Sequence, residues 1–298
     1  MIEHVSSRRP LRAVCLALLA LLIVLPAHAA GFRLGQWKDD LFAYPGIIES
    51  RDDGAYVVVD YREMRDINGR DEIPERRALP KYVELVYQKN ATWSAGGTAH
   101  KYVGVGKIEG GAKVVVIFIH GQGGNRLLGA NQWSFGGNFN RVMNLMARNG
   151  GAYISPDVAS FGADGRDAIK ALIAEQASRS PGAAIFVACG SQGGLICWQL
   201  AEDAGAAKAI SGMLLLGSSH DDGFLRSPAF KARMPLYLGH GTHDVVFDWK
   251  GEAAFYDRVR KTAPGYPIRI ALFETGTHGT PIRMTDWRLA LNWMLGLR

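Results

Sequence analysis

Ser191 stands in the string Ala188-Cys189-Gly190-Ser191-Gln192-Gly193-Gly194, between an apolar run and a helical pattern. A serine becomes a nucleophile when a sharp turn presents its hydroxyl and a neighbouring base takes its proton. Such a turn needs small residues two before and two after the serine, and Cys189 and Gly193 meet that need. The N–H of Gln192, at the start of the following helix, would then face the oxygen on which charge develops. The plainer reading is a serine that caps a helix. A second string, His120-Gly121-Gln122-Gly123-Gly124-Asn125, directly follows the apolar run VVVIFI. Its glycines let the backbone approach a ligand, and the N–H of Gln122 is the candidate second donor. No Gly-Lys-Ser/Thr follows, which argues against a phosphate loop and leaves a simple glycine turn as the alternative. Two further strings, Gly239-His240-Gly241-Thr242-His243-Asp244-Val245-Val246 and Glu274-Thr275-Gly276-Thr277-His278-Gly279, supply an acid and a histidine after the serine. In that order Asp244 would orient the imidazole of His278, and His278 would deprotonate Ser191. Ser218 and Ser219 lack a sharp-turn context and are poor candidates for the nucleophile.

The elements that must position these residues alternate between strand and helix. Residues 55–61 (AYVVVDY), 81–88 (KYVELVYQ) and 101–107 (KYVGVGK) read as N-terminal strands, the second with Val83, Leu85 and Tyr87 on one face. Val114–Ile119 is apolar on both faces, as in a parallel strand covered by helices above and below. Strand patterns return at 152–155, 183–188, Gly212–Leu216, 235–239 and Ile268–Phe273. Helical spacing falls between them, as in Phe139, Val142, Met143 and Met146, and ends with Trp287, Ala290, Leu291 and Met294 on one face. Repeated βα units predict an α/β fold with a doubly wound, mostly parallel sheet, the earlier strands being antiparallel additions. Ligands in such sheets bind at the carboxyl ends of the strands, where the strings above fall.

The chain has 298 residues, 48% hydrophobic and 21% charged. That mixture excludes a disordered chain, a collagen-like repeat, a coiled coil and a polytopic membrane protein. The net charge of +6 is spread out, with no basic stripe interleaved with aromatics, so no nucleic-acid partner is expected. Arg8, Arg9 and Arg12 precede an apolar run from Ala13 to Leu25, then Pro26 and Ala27-His28-Ala29. This order predicts a secretory signal peptide over residues 1–29, cleaved after Ala29. A retained anchor is the alternative, but the run is shorter than the roughly 20 apolar residues of a membrane span. Cys15 opens that run and is poorly placed for lipid attachment. The expectation is a periplasmic or secreted protein whose one catalytic domain spans 30–298. Of the two cysteines left, Cys189 falls at a strand end and Cys197 on the next helix. Two buried thiols are expected, although export permits a disulfide. No CxxC or histidine cluster has zinc spacing, so no metal is predicted.

The strings HGQGGN, CGSQGG, GHGTHD and GTHG resemble the oxyanion loop, nucleophile elbow, acid loop and histidine loop of the α/β-hydrolase superfamily. GHGTHDVV is most similar to the dienelactone-hydrolase, carboxylesterase and prolyl-oligopeptidase branches. The resemblance spans about residues 80–298, with Cys189 standing where the elbow usually has Gly. It implies a serine nucleophile, an acyl-enzyme intermediate and no cofactor. It also implies that Asp157 organises a neighbouring loop, that His240 and His243 are structural, and that Asp221 or Asp222, after the strand GMLLL, competes with Asp244 for the place of the acid. The connection from Leu216 to Pro235 is too short for a substantial cap, which implies an open site. Residues 126–138, with Trp133 and Phe135 among glycines, form either a mobile cover or a packed loop, and these two aromatics are candidate substrate contacts. The expected function is hydrolysis of small-molecule or envelope-derived carboxylic esters. Peptidase or amidase activity on the same fold is second, and thioesters are disfavoured outside the cytoplasm. From another class comes a catalytically silent binding protein, against which the complete serine, histidine and aspartate set argues.

Overall fold

All six side chains of Val114–Ile119 are buried, so this strand must have a layer against each face. In the computed structural model, which describes residues 1, 31–63, 65–66 and 83–298, it lies inside a sheet of ten strands. Chain contacts separate Met1–Gly31 from Phe32–Arg298, and every element below belongs to the second unit. Apart from Met1, the predicted export signal lies outside the described residues. Among the described residues no helix is long and apolar enough to cross a membrane.

The strands are β1 Ile47–Arg51, β2 Tyr56–Val59, β3 Lys89–Ala95, β4 Thr98–Gly106, β5 Val114–Ile119, β6 Ala152–Pro156, β7 Ala184–Gly190, β8 Gly212–Leu216, β9 Leu236–Gly241 and β10 Ile268–Phe273. Their order across the sheet is β1-β2-β10-β9-β8-β7-β5-β6-β4-β3. From β6 round to β2 the neighbours are parallel, and only the β1–β2, β4–β6 and β3–β4 pairs are antiparallel. The chain leaves β5 for β6 on one side and then crosses to β7 on the other. The loops after β5 and β7 therefore part company above a crevice, where ligands bind in open α/β sheets.

Among the described residues, the α-helices longer than four residues are α1 Asn138–Arg148, α2 Ala163–Arg179, α3 Gly194–Glu202, α4 Ala204–Ala209, α5 Trp249–Thr262, α6 Thr280–Met284 and α7 Trp287–Leu295, and they cover the faces of the sheet. Alternate strand residues feed two separate cores. Val115, Ile117 and Ile119 pack with α2, α3 and α5 on one face, through residues such as Leu172, Trp198 and Phe255. Val114, Val116 and Phe118 pack with α1 and α7 on the other, against Phe139, Met143, Trp287 and Leu291. Fully buried Arg141 on α1 ties the N-terminal segment down, 2.9 Å from both Asp39 and Asp286.

The strand predicted at 81–88 is a correction. Its first two residues lie outside the described set, and residues 83–88 join no ladder. Val83 is buried, whereas Leu85 and Tyr87 are 63% and 82% exposed, so the three do not share an inward face. Side-chain amides replace the ladder: Gln132 bonds both Val86 N–H and Val86 C=O, and Asn140 and Asn144 donate to Glu84 O. The true strand β3 follows immediately, with Trp93 its single buried side chain. The 101–107 strand starts three residues earlier, at Thr98.

Candidate active site

β7 ends at Gly190, and a single 3₁₀ turn, Ser191–Gly193, leads into α3. Ser191 holds φ +53°, the left-handed region that a non-glycine residue occupies only when its surroundings enforce it. The surroundings here are close. A Cβ on Gly193 would stand 2.7 Å from His120 O, and one on Gly121 would stand 2.7 Å from Ser191 Cβ and 3.1 Å from its Oγ. Ser218 Oγ donates to Ser191 O at 2.7 Å and braces the turn from below.

Cys189, level with Ile119 of β5, turns into the core that α2, α3 and α5 cover, and there the expectation of free thiols is overturned. Cys189 and Cys197 form a disulfide, with Cα atoms 6.4 Å apart. Position 197 lies almost one turn into α3, and the tight elbow folds that helix back over the strand end. The bridge therefore clamps the two arms of the turn.

Ser191 Oγ lies 2.8 Å from His278 Nε2, and His278 Nδ1 lies 2.8 Å from Asp244 Oδ2. His278 follows β10 and Asp244 follows β9, so the loops after β7, β9 and β10 converge at the strand carboxyl ends, with β8 between the first two strands. Phe247 flanks the imidazole at 5.7 Å between ring centroids. The Asp244 side chain is fully buried. Burial alone would raise its pKa. Hydrogen bonds from His240, His278 and the N–H groups of Val246 and Phe247 outweigh that and hold the carboxyl well below the usual carboxylate range. The competing acids do not reach this place: Asp221 accepts from Gly223 N, and Asp222 pairs with Arg258. His243 is exposed, whereas His240 is buried.

The loop after β5 is held from two sides. His120, 2% exposed, accepts the Val158 N–H at Nε2 and so donates from Nδ1 to Gly121 O. Gly121 O also takes the Gly124 N–H. In a trans peptide the N–H points opposite to the C=O, so anchoring Gly121 O turns the Gln122 N–H away from His120. Asp157 accepts the Arg126 N–H and pairs with its guanidinium at 2.9 Å, which fixes the end of the same loop. The stretch 126–138 is packed. Tyr153 donates to Gly129 O, Asn131 caps Trp133 and Ser134, and Phe135 rests on Phe139 and against Gly279.

No protein-family model and no curated protein matches the sequence. Solved structures do resemble it. An esterase of Pyrococcus furiosus superposes with a TM-score of 0.51 at 15% identity, covering 73% of this chain and 95% of that one. A protein of unknown function from Agrobacterium tumefaciens, described as a candidate α/β hydrolase, gives 0.53 at 16%, over 70% of this chain and 95% of that one. A thermostable esterase gives 0.53 at 15%, over 70% of this chain and 62% of that one. The chain has an α/β-hydrolase fold. At identities this low the likeness carries the fold and not the activity. Within this hydrolase fold, sequence reasoning missed the bracing roles of His120 and Ser218, because both act on backbone atoms of distant or sharply turned segments. A histidine directly after a buried strand and before Gly was the available signal for the first.

Proposed function

We propose that the protein is a serine hydrolase that cleaves carboxylic esters by acyl transfer to water. The observation that carries this reading is the unbroken series from Ser191 Oγ through His278 to a buried Asp244 carboxylate, both links 2.8 Å, with the serine on a strained turn. Ser191 Oγ attacks the ester carbonyl while its proton passes to His278 Nε2. The oxygen that becomes negative is received by the N–H groups of Gln122 and Gln192, each worth roughly 3 kcal/mol of barrier. Asp244, ionised throughout, faces the imidazolium that forms. Collapse returns the proton from Nε2 to the departing alcohol. A water molecule then gives its proton to Nε2, attacks the acyl-serine carbon and releases the acid, and Ser191 recovers its proton.

Exposed Val245 and Val246 directly follow Asp244, and exposed Leu195 and Leu127 lie in the helical turns after Ser191 and Gln122, which favours apolar groups on the substrate. Phe135, half-buried against Gly279 of the histidine loop, and half-buried Trp133 two residues before it would bound that surface as a fixed wall rather than a moving cover. The disulfide supports an oxidising destination, in keeping with a periplasmic or secreted protein.

Hydrolysis of p-nitrophenyl esters across acyl lengths tests the reading, with Ser191→Ala alongside. Wild type should turn over, and the variant should lose about a thousandfold or more in kcat. A wild type that neither hydrolyses esters nor labels with a fluorophosphonate would leave a binding scaffold instead.

A further inference from the structure

Behind Asp244 lies a second imidazole. His240, on β9, is 1% exposed, and its Nε2 stands 3.2 Å from Asp244 Oδ2, the same oxygen that meets His278. Nε2 also lies 3.1 Å from Phe247 O, while the buried Nδ1 has no hydrogen-bond partner. With two oxygens at Nε2 and none at Nδ1, the proton belongs on Nε2. Asp244 is thus held by donors on both oxygens, two backbone N–H groups on Oδ1 and two imidazoles on Oδ2.

Resting on the reading of Ser191, His278 and Asp244 as catalytic, we propose that His240 is a positioning residue. Its Nε2–H fixes the Asp244 carboxylate toward His278 and takes up part of its charge, and this sets the pH at which the base becomes available. The groups facing His240 are Asp244, with His278 beyond it, and Glu252 on α5, which is 2% exposed. Past Glu252 stand His220, 3.8 Å away, and Arg258, with Asp221, Asp222 and Asp248 around His220. Burial would lower the affinity of His240 for a second proton, but Asp244, Glu252 and Phe247 O outweigh it. A second proton on His240 would draw still more charge from Asp244, so both states of the ring act in the same direction.

The test compares His240→Leu and His240→Gln with wild type, reading kcat, KM and the pH profile on p-nitrophenyl butyrate. In His240→Leu, Asp244 loses a donor and attracts the proton on His278 more strongly. The acid limb should move up by about half a pH unit or more, with kcat falling about tenfold and KM within about twofold. The Gln amide N–H reaches toward the same oxygen and should restore most of both losses. A Leu variant with the wild-type limb and kcat, or a Gln variant no better than Leu, overturns the proposal. Should both variants fail to fold, ¹⁵N NMR of the wild type decides: a neutral His240 protonated at Nδ1 overturns it, and one protonated at Nε2 supports it. That spectrum needs no turnover, so failure of the esterase reading is seen separately, as an absence of ester hydrolysis and of fluorophosphonate labelling.

Discussion

Gly121 lies so close to the elbow that a Cβ on it would stand 3.1 Å from the hydroxyl oxygen of Ser191, and that makes two residues inseparable in the site. Gly121→Ala would push a Cβ to 2.7 Å from Ser191 Cβ, so loop and elbow must move apart. We expect kcat to fall by about a hundredfold, the loss that follows displacement of one oxyanion donor, with melting temperature little changed. Asp244→Asn replaces an acceptor that faces an imidazole N–H with an amide that cannot fill both roles. Its kcat should drop by about a thousandfold to ten-thousandfold, measurable against Ser191→Ala in the same ester assay. Because hydrogen bonds keep Asp244 ionised well into the acidic range, mild acidification should not remove activity by protonating this carboxylate. The catalytic candidates were legible because nucleophile, acid and base each have a characteristic residue type and fall directly after strands. His120 and Ser218 were not, since a bond to a backbone oxygen leaves no mark on the spacing of side chains.

At the scale of elements, the elbow joins β7 to α3 and the disulfide closes it. Replacing Cys189 and Cys197 together by Ala releases a short loop of eight residues' separation. Loop-closure entropy puts the cost at about 2–3 kcal/mol, to be read from denaturant unfolding of the oxidised protein and the double variant. A double variant as stable as wild type would show the bridge to be incidental. On the opposite face, Arg141→Met would leave Asp39 and Asp286 without the guanidinium that joins them. A destabilisation of about 3 kcal/mol is expected by the same measurement. The apolar strands β5 to β10 were readable since both their faces are covered and their composition says so. The segment 83–88 misled because alternation of residue types records only that a chain is extended. Whether its N–H and C=O groups meet a strand or the amides of Gln132, Asn140 and Asn144 depends on what lies alongside.

For the molecule as a whole, buried ionisable groups couple stability to pH. Burial lifts the Glu252 carboxyl to about 8, against roughly 4.3 in an unfolded chain. Between those values the folded state keeps a proton that the unfolded state has released, so stability falls as pH rises through that window. His240, raised from its ordinary value, loses its contribution in the same direction. Asp244 acts oppositely, withdrawing stability only when pH drops below the unfolded carboxylate range. Melting temperature should therefore peak near pH 5 and decline toward 8, and Glu252→Gln should flatten the decline; an unchanged slope in the variant would refute the assignment to Glu252.

The sequence by itself determined the layered α/β architecture and the order of the chemical loops, and it put forward Ser191 and His278 as candidates, with Asp244 ahead of Asp221 and Asp222 as the acid. Hydrophobic period and residue type are local properties, and a parallel sheet brings its strand ends to one edge whatever the details. Only the tertiary structure decided that β2 runs parallel to β10 while β3 and β4 close the opposite edge. It alone decided that Cys189 meets Cys197, that Asp244 and not Asp221 or Asp222 reaches the imidazole, and that His240 shares its oxygen. These are contacts between residues on different elements, set by distances and directions that no single stretch of chain encodes.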